Sequence, residues 1–172
     1  GKELGGLLGV LGNHDLIDNG LVAAQGLSRA GLRILRNDVQ MVRRGRGKLQ
    51  IGGLDYPPLG RGRTEVMKAY FSEVKEKRSA ETPLVLLNHN PADFEFLKYQ
   101  QVDLVLSGHT HGGQINFSRS QNTLLNGARW IYKYYVDHYA EQDSQLYVNR
   151  GLGHWFPLRM NCPPEITVIT LA

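Results

Sequence analysis

Two histidines stand two residues apart in "GHTHGGQ", Gly108–Gln114. In an extended segment residues i and i+2 project to one side. His109 and His111 would then offer two imidazoles together, a donor type that suits a divalent transition metal. Gly108, Gly112 and Gly113 let the backbone turn tightly and come close to a ligand. "GNHD", Gly12–Asp15, adds the amide oxygen of Asn13 and a histidine beside a carboxylate. His14 next to Asp15 is the pairing for an acid whose proton position a carboxylate fixes. "NHNP" contributes His89. Each motif alone has a bland reading: a polar loop, an Asx-type turn, and a histidine satisfied at a strand end.

The elements around these motifs change their weight. Leu7–Leu11 is a short apolar run that stops at Gly12, as a buried strand would. Leu84–Leu87 is a continuous apolar strand that stops at Asn88, and Leu104–Leu106 repeats the pattern before Gly108-His109. Between them, Leu21–Leu32 has helical spacing with Gly31 as a C-cap. Thr64–Arg78 reads as an amphipathic helix with Val66, Ala69, Tyr70 and Val74 on one face. Ile34–Leu54 reads as two strands around a glycine-bearing turn. Ala92–Gln100 reads as a short helix, and "QLYVN" and "EITVITL" as two more strands. Phe117–Gln145 has no clear period. Strand–helix alternation with continuous apolar strands predicts an α/β layered fold. Ligands gather at the carboxyl ends of such strands, so His14, His89, His109 and His111 are expected on one rim.

The totals set bounds. The chain has 172 residues, a net charge of +4, 41% hydrophobic and 21% charged residues. That composition is globular. Its charge is too mild and dispersed to argue for nucleic acid. One cysteine, Cys162, excludes an internal disulfide framework, and it reads as structural. No stretch approaches the length of a membrane span. The first methionine is Met41, so the chain is expected to be a piece of a longer protein, with any signal peptide or anchor upstream.

Three weak motifs in this order, each at a strand end, resemble the calcineurin-like metallophosphoesterase superfamily. That family's signature runs D-x-H, G-D-x-x-D, G-N-H-[DE], a lone histidine, then G-H-x-H. The last three are Gly12–Asp15, His89 and Gly108–His111. "GHTHGGQI", "LYVNRGLG" and "NCPPEITVITL" are similar to the bacterial YkuE/YaeI-like phosphodiesterase branch. A metallo-β-lactamase pattern, H-x-H-x-D-H, fails at Gly113 and Gln114. The resemblance covers nearly the whole chain, with Gln40–Gly60 and Phe117–Ile131 its loosest parts.

The resemblance implies a four-layer α/β/β/α sandwich lacking its N-terminal strands, as one partial domain over residues 1–172. It implies Asn13, His89 and His109 as ligands of one metal, His111 as a ligand of its neighbour, and His14 as general acid or charge stabiliser oriented by Asp15. The cofactors would be two divalent ions, Mn, Fe or Zn. A hydroxide held by both would hydrolyse a phosphodiester or pyrophosphate bond. The substrate would be a small or lipid-linked phosphoester, with no nucleic acid, in a bacterial protein that is cytoplasmic or membrane-associated through a missing N-terminal segment. D-x-H and G-D-x-x-D are absent before Gly12, so this fragment alone is expected to be inactive. The rival reading is a catalytically incomplete domain that serves as a binding module.

Three features weigh less. Arg43, Arg44, Arg46 and Lys48 crowd a turn and read as a solvated hairpin tip. Asp55 in "GGLDYPP" reads as a rim or turn residue. Arg150–Gly153, "RGLG", reads as a turn near the site.

Overall fold

A computed structural model describes residues 6–17, 19–58, 60–120, 123 and 125–171. β1 (Leu7–Gly9) and β2 (Leu32–Ile34) pair in parallel as a two-stranded sheet. A six-stranded sheet holds β3 (Asp38–Arg44), β4 (Gly47–Gly53), β5 (Leu84–Leu87), β6 (Leu104–Ser107), β7 (Asp137–Glu141) and β8 (Ser144–Val148). Its order is β3-β4-β5-β6-β8-β7. The four inner strands run parallel, and β3 and β7 close the edges as antiparallel hairpin partners. The continuous apolar runs fall on the inner strands, where both faces must be covered. The basic cluster Arg43–Lys48 is the β3–β4 hairpin tip, turning through Gly45 at φ 57°.

Two adjacent glycines of β4 show the layering. A Cβ on Gly52 would meet Leu84, Leu86 and Val74. Val74 belongs to the helix α2 (Arg63–Lys77). A Cβ on Gly53, one residue on and therefore on the opposite face, would meet Leu35 and Val10, which extend the two-stranded sheet. The helix α1 (Gly20–Arg29) packs on β2. The result is a mixed α/β fold with α, β, β and α layers. Leu84, Leu86, Val105 and Leu146 build the core between the large sheet and α2.

Local chemistry explains the helix limits. The Asn19 side chain accepts the N–H groups of Leu21 and Val22 at 3.0 and 3.2 Å, capping α1. Gly31, at φ 91°, follows its end. α2 buries Met67, Phe71 and Val74. Of the expected face, Val74 is buried and Tyr70 packs on the core, while Ala69 is exposed; Met67 and Phe71 carry the rest of the buried area.

Three other expectations change. Ala92–Gln100 becomes a 3-10 turn, Pro91–Asp93, and a single helical turn α3 (Phe94–Leu97). Phe117–Gln145 holds α4 (Ala128–Ile131) and the edge strand β7. Neither has an apolar period long enough to read. "EITVITL" pairs with no strand. Glu165 and Thr167 instead bond to the side chains of Tyr147 on β8 and Asn149 just past its end, while Ile166 and Val168 face solvent.

Candidate metal centre

β5 and β6 are neighbours in register, Leu87 opposite Leu106. Beyond the ladder the chains stay tied: Asn88 N–H donates to Leu106 O at 3.0 Å, and Gly108 N–H donates to His89 O at 3.2 Å. Strand ends so held place the rings of His89 and His109 edge to face, 5.0 Å between centroids. The third approach comes from the small sheet. Leu11, fully buried, anchors the turn after β1, and Gly12 passes directly against the His89 ring. A Cβ there would lie 2.6 Å from His89 Cε1.

That turn delivers Asn13. Its Oδ1 lies 2.9 Å from His89 Nε2 and 3.2 Å from His109 Nδ1, and those two nitrogens are 3.2 Å apart. Three donor atoms from three strand ends form one triangle. His89 and His109 are half-buried, walled by Tyr56 at 5.7 and 6.3 Å and, for His109, by Tyr132 at 6.2 Å between centroids.

The His109–His111 segment is not extended. β6 ends at Ser107, and His109, Thr110 and His111 have φ of 69°, −81° and 51°. Two non-glycine residues in the left-handed region are strained and need support. Thr110 Oγ1 supplies it, donating to Tyr135 O at 2.5 Å and accepting the Gly112 N–H at 3.3 Å. Asn116 Nδ2 donates to Gly112 O at 2.9 Å. The Cys162 thiol donates to the carbonyls of His111 and Gly112 at 3.3 Å each. Cys162 is thus a strut for the loop. His111 leaves the triangle and faces the 150–153 turn, Nδ1 3.4 Å from Gly153 O.

His14 lies in a 3-10 turn, His14–Leu16, and is exposed. It stands near enough to disfavour protonation of His89, His109 and His111. The Asp15 carboxylate accepts the Gly12 N–H at 2.7 Å, so it shapes the loop that presents Asn13 and His14. Burial, then the neighbouring His109, pushes His89 down to about 4. Burial, then Arg63, lowers His109. Burial, opposed by the Gly153 bond, lowers His111. Imidazoles held neutral keep a lone pair for a cation.

Sequence reasoning passed over several residues. In "GGLDYPP" the expected rim residue Asp55 turns away to Arg36 at 2.7 Å, and Tyr56 is the residue against the histidines. Its position at the end of β4, on the same rim, was the available signal. Arg63 lies 5.3 Å from the Tyr56 ring centre and grips Asp93 with two bonds, 2.6 and 3.0 Å. Gln114, buried, donates to the carbonyls of Phe156 and Leu158 and so fixes the 156–158 turn.

Donors 2.0–2.2 Å from one cation lie about 3 Å from one another, which is the spacing of the triangle. Two imidazoles and an amide oxygen are acceptable to Mn, Fe or Zn. All three are neutral, and among the described residues no three His, Cys, Asp or Glu side chains gather as a cation site by themselves.

Residues 4–113 match the Calcineurin-like phosphoesterase family, and the chain belongs to it. It is 35% identical over 170 residues to the metallophosphoesterase YkuE of Bacillus subtilis (96% of this chain, 56% of that one). It is 27% identical over 171 residues to the phosphodiesterase YaeI of Escherichia coli (93% and 56%). It is 36% identical over 98 residues to the UDP-2,3-diacylglucosamine pyrophosphatase LpxG of Chlamydia muridarum (51% and 28%). The chain thus spans about half the length, or less, of these curated relatives. No solved structure matches it.

Proposed function

We propose that the protein hydrolyses a phosphodiester or pyrophosphate bond in a small or lipid-linked substrate, with divalent cations held at the strand-end rim. The observation that carries this reading is the 2.9–3.2 Å triangle of Asn13 Oδ1, His89 Nε2 and His109 Nδ1. These three would hold one cation, and His111 would serve a second beside it. Two bound divalent ions supply Lewis-acid polarisation of the phosphoryl group and an activated water. The chain's own residues do the rest. His89 and His109 stay neutral through burial and present lone pairs. Tyr56 and Tyr132 wall the histidines and limit water. His14, exposed at the mouth, is free to hand a proton to the leaving oxygen or stabilise its charge, and Asp15 fixes the loop that carries it. Relatives named as a phosphodiesterase and a pyrophosphatase support the bond class.

No carboxylate joins the triangle, so nothing in it offsets a dication. Residues 1–172 alone should therefore load weakly and turn over little. The test uses a form of the protein that hydrolyses bis-p-nitrophenyl phosphate, with bound metal measured by mass spectrometry. His109→Ala should lower metal content and rate together. His14→Ala should lower rate with metal retained. Full metal in His109→Ala would remove His109 as a ligand, and hydrolysis independent of added metal would overturn the metal-dependent mechanism.

A further inference from the structure

The turn at 150–153 belongs to no strand or helix, yet it stands beside His111. One side chain further along the chain gathers it. Arg159 Nη2 shares its hydrogens among the carbonyls of Arg150 at 3.0 Å, Gly151 at 3.3 Å and Gly153. Nη1 donates to Cys162 O at 3.2 Å. The planar fork of an arginine suits a carboxylate or phosphate. Here it is spent on four backbone carbonyls.

The same guanidinium reaches His111 by two routes. Gly153 O also faces His111 Nδ1 at 3.4 Å, and a carbonyl oxygen has two lone pairs, one for each donor. On the other arm, Nη1 lies 3.8 Å from the Cys162 sulfur, whose thiol donates to His111 O. A carbonyl only accepts, so the ring nitrogen that bonds to it must donate. In a neutral His111 the proton is therefore on Nδ1 and the lone pair on Nε2. His109 turns the opposite nitrogen inward, since its Nδ1 joins the triangle. Two histidines two residues apart thus need different ring settings, and the loop between them does not supply the second.

We propose that Arg159 is a positioning residue for His111: by knotting the 150–153 turn it keeps the Gly153 carbonyl on Nδ1 and leaves Nε2 as the atom offered to a cation. The positive charge of Arg159 opposes a nearby dication, so what it contributes is geometry. Hydrogen bonds to the far nitrogen of a ligating histidine fix its tautomer and ring orientation. The role toward a cation rests on His111 as a ligand, proposed above. The knot and the tautomer do not.

The tautomer is read by long-range nitrogen–proton NMR correlations in the isotope-labelled, metal-free chain, above the histidine titration range. His111 is assigned by the loss of its signals in His111→Gln. The unsubstituted chain should hold His111 in the Nδ1–H form. Arg159→Lys keeps the charge and loses the fork; checked for fold by circular dichroism, it should admit the Nε2–H form. In calorimetric titrations with zinc, His111→Gln should weaken binding, and Arg159→Lys should weaken it about tenfold. An Nε2–H His111 in the unsubstituted chain would overturn the inference, and that arm needs no variant to fold. Nδ1–H fully retained in folded Arg159→Lys would overturn it too, leaving Arg159 a support for the chain alone. Zinc binding weakened by His111→Gln but not by Arg159→Lys would show that the ring finds its setting without the knot. Zinc binding unchanged in His111→Gln would sink His111 as a ligand and leave the knot standing on the tautomer.

Discussion

Asn13 Oδ1 stands 2.9 Å from His89 Nε2 although 76 residues separate the two in sequence. The contact exists because the small sheet packs on one face of β4 while β5 carries His89 to the same rim. Gly12 makes it close, since its backbone lies against the imidazole. Gly12→Ala would set a Cβ 2.6 Å from His89 Cε1, and the ring would have to move. The variant should lose stability by about 1–3 kcal/mol and bind zinc or manganese more weakly, read by urea denaturation and titration calorimetry. Unchanged cation binding would show that the triangle does not depend on this approach.

The neutrality of the donor set gives a prediction of the opposite sign. Asn13→Asp keeps the shape of the side chain and adds a negative charge facing two imidazoles. Cation affinity should rise about tenfold or more, and the metal-free protein should become less acid-sensitive because a carboxylate favours protonated histidine. Weaker binding in the variant would count against Asn13 as a ligand.

Arg63 and Asp93 form a two-pronged ion pair in which the Asp93 side chain is only 3% exposed. Arg63→Met would strand that carboxylate and should cost about 3–5 kcal/mol. Arg63 also depresses the His109 pKa, second only to burial. The same variant should therefore raise it, visible as an upward shift of the His109 ring resonances in an NMR titration. A stable protein with His109 unmoved would refute both roles.

Acid should loosen the metal-free protein through His89. Burial and His109 hold it at about 4, below the value near 6.5 it recovers on unfolding. The unfolded chain then takes up the proton first. Its neutral burial costs nothing above about 6.5, and destabilisation grows as pH falls from there to about 4. His89→Gln should flatten that part of the stability curve in urea melts taken across this range. An identical slope in the variant would assign the acid sensitivity to other groups.

Cys162 is 1% exposed and supports two carbonyls of the strained loop. Cys162→Ala should cost about 1–3 kcal/mol, from two lost bonds and a small cavity. Cys162→Ser, which keeps a donor, should cost less. Equal losses in denaturant melts would mean that packing, not hydrogen bonding, explains the position.

Much of the site was readable because its donors lie at the abrupt ends of apolar strands. Leu84–Leu87 and Leu104–Leu106 can only be buried inner strands, and the polar residue after each must emerge at a rim. Period and composition therefore point to the layered class and to polar residues at its rim; Asn13, His89 and His109 as a ligand set come from the family resemblance. What stayed hidden depends on distance across the fold. The order β5-β6-β8 decides that His89 and His109 are side by side, and no local pattern encodes which strands pair. His109 and His111 looked like one extended pair, but the chain turns left-handed at both, held by Thr110, Asn116 and Cys162 from other segments. "EITVITL" has every mark of a strand and has no ladder, because strand propensity is satisfied only when a partner edge lies alongside. The position of Tyr56 past the end of β4 puts it on the rim, but that it faces His89 and His109 depends on packing in the same way. A side chain's type is written in the sequence; what it faces is decided by packing between segments far apart along the chain.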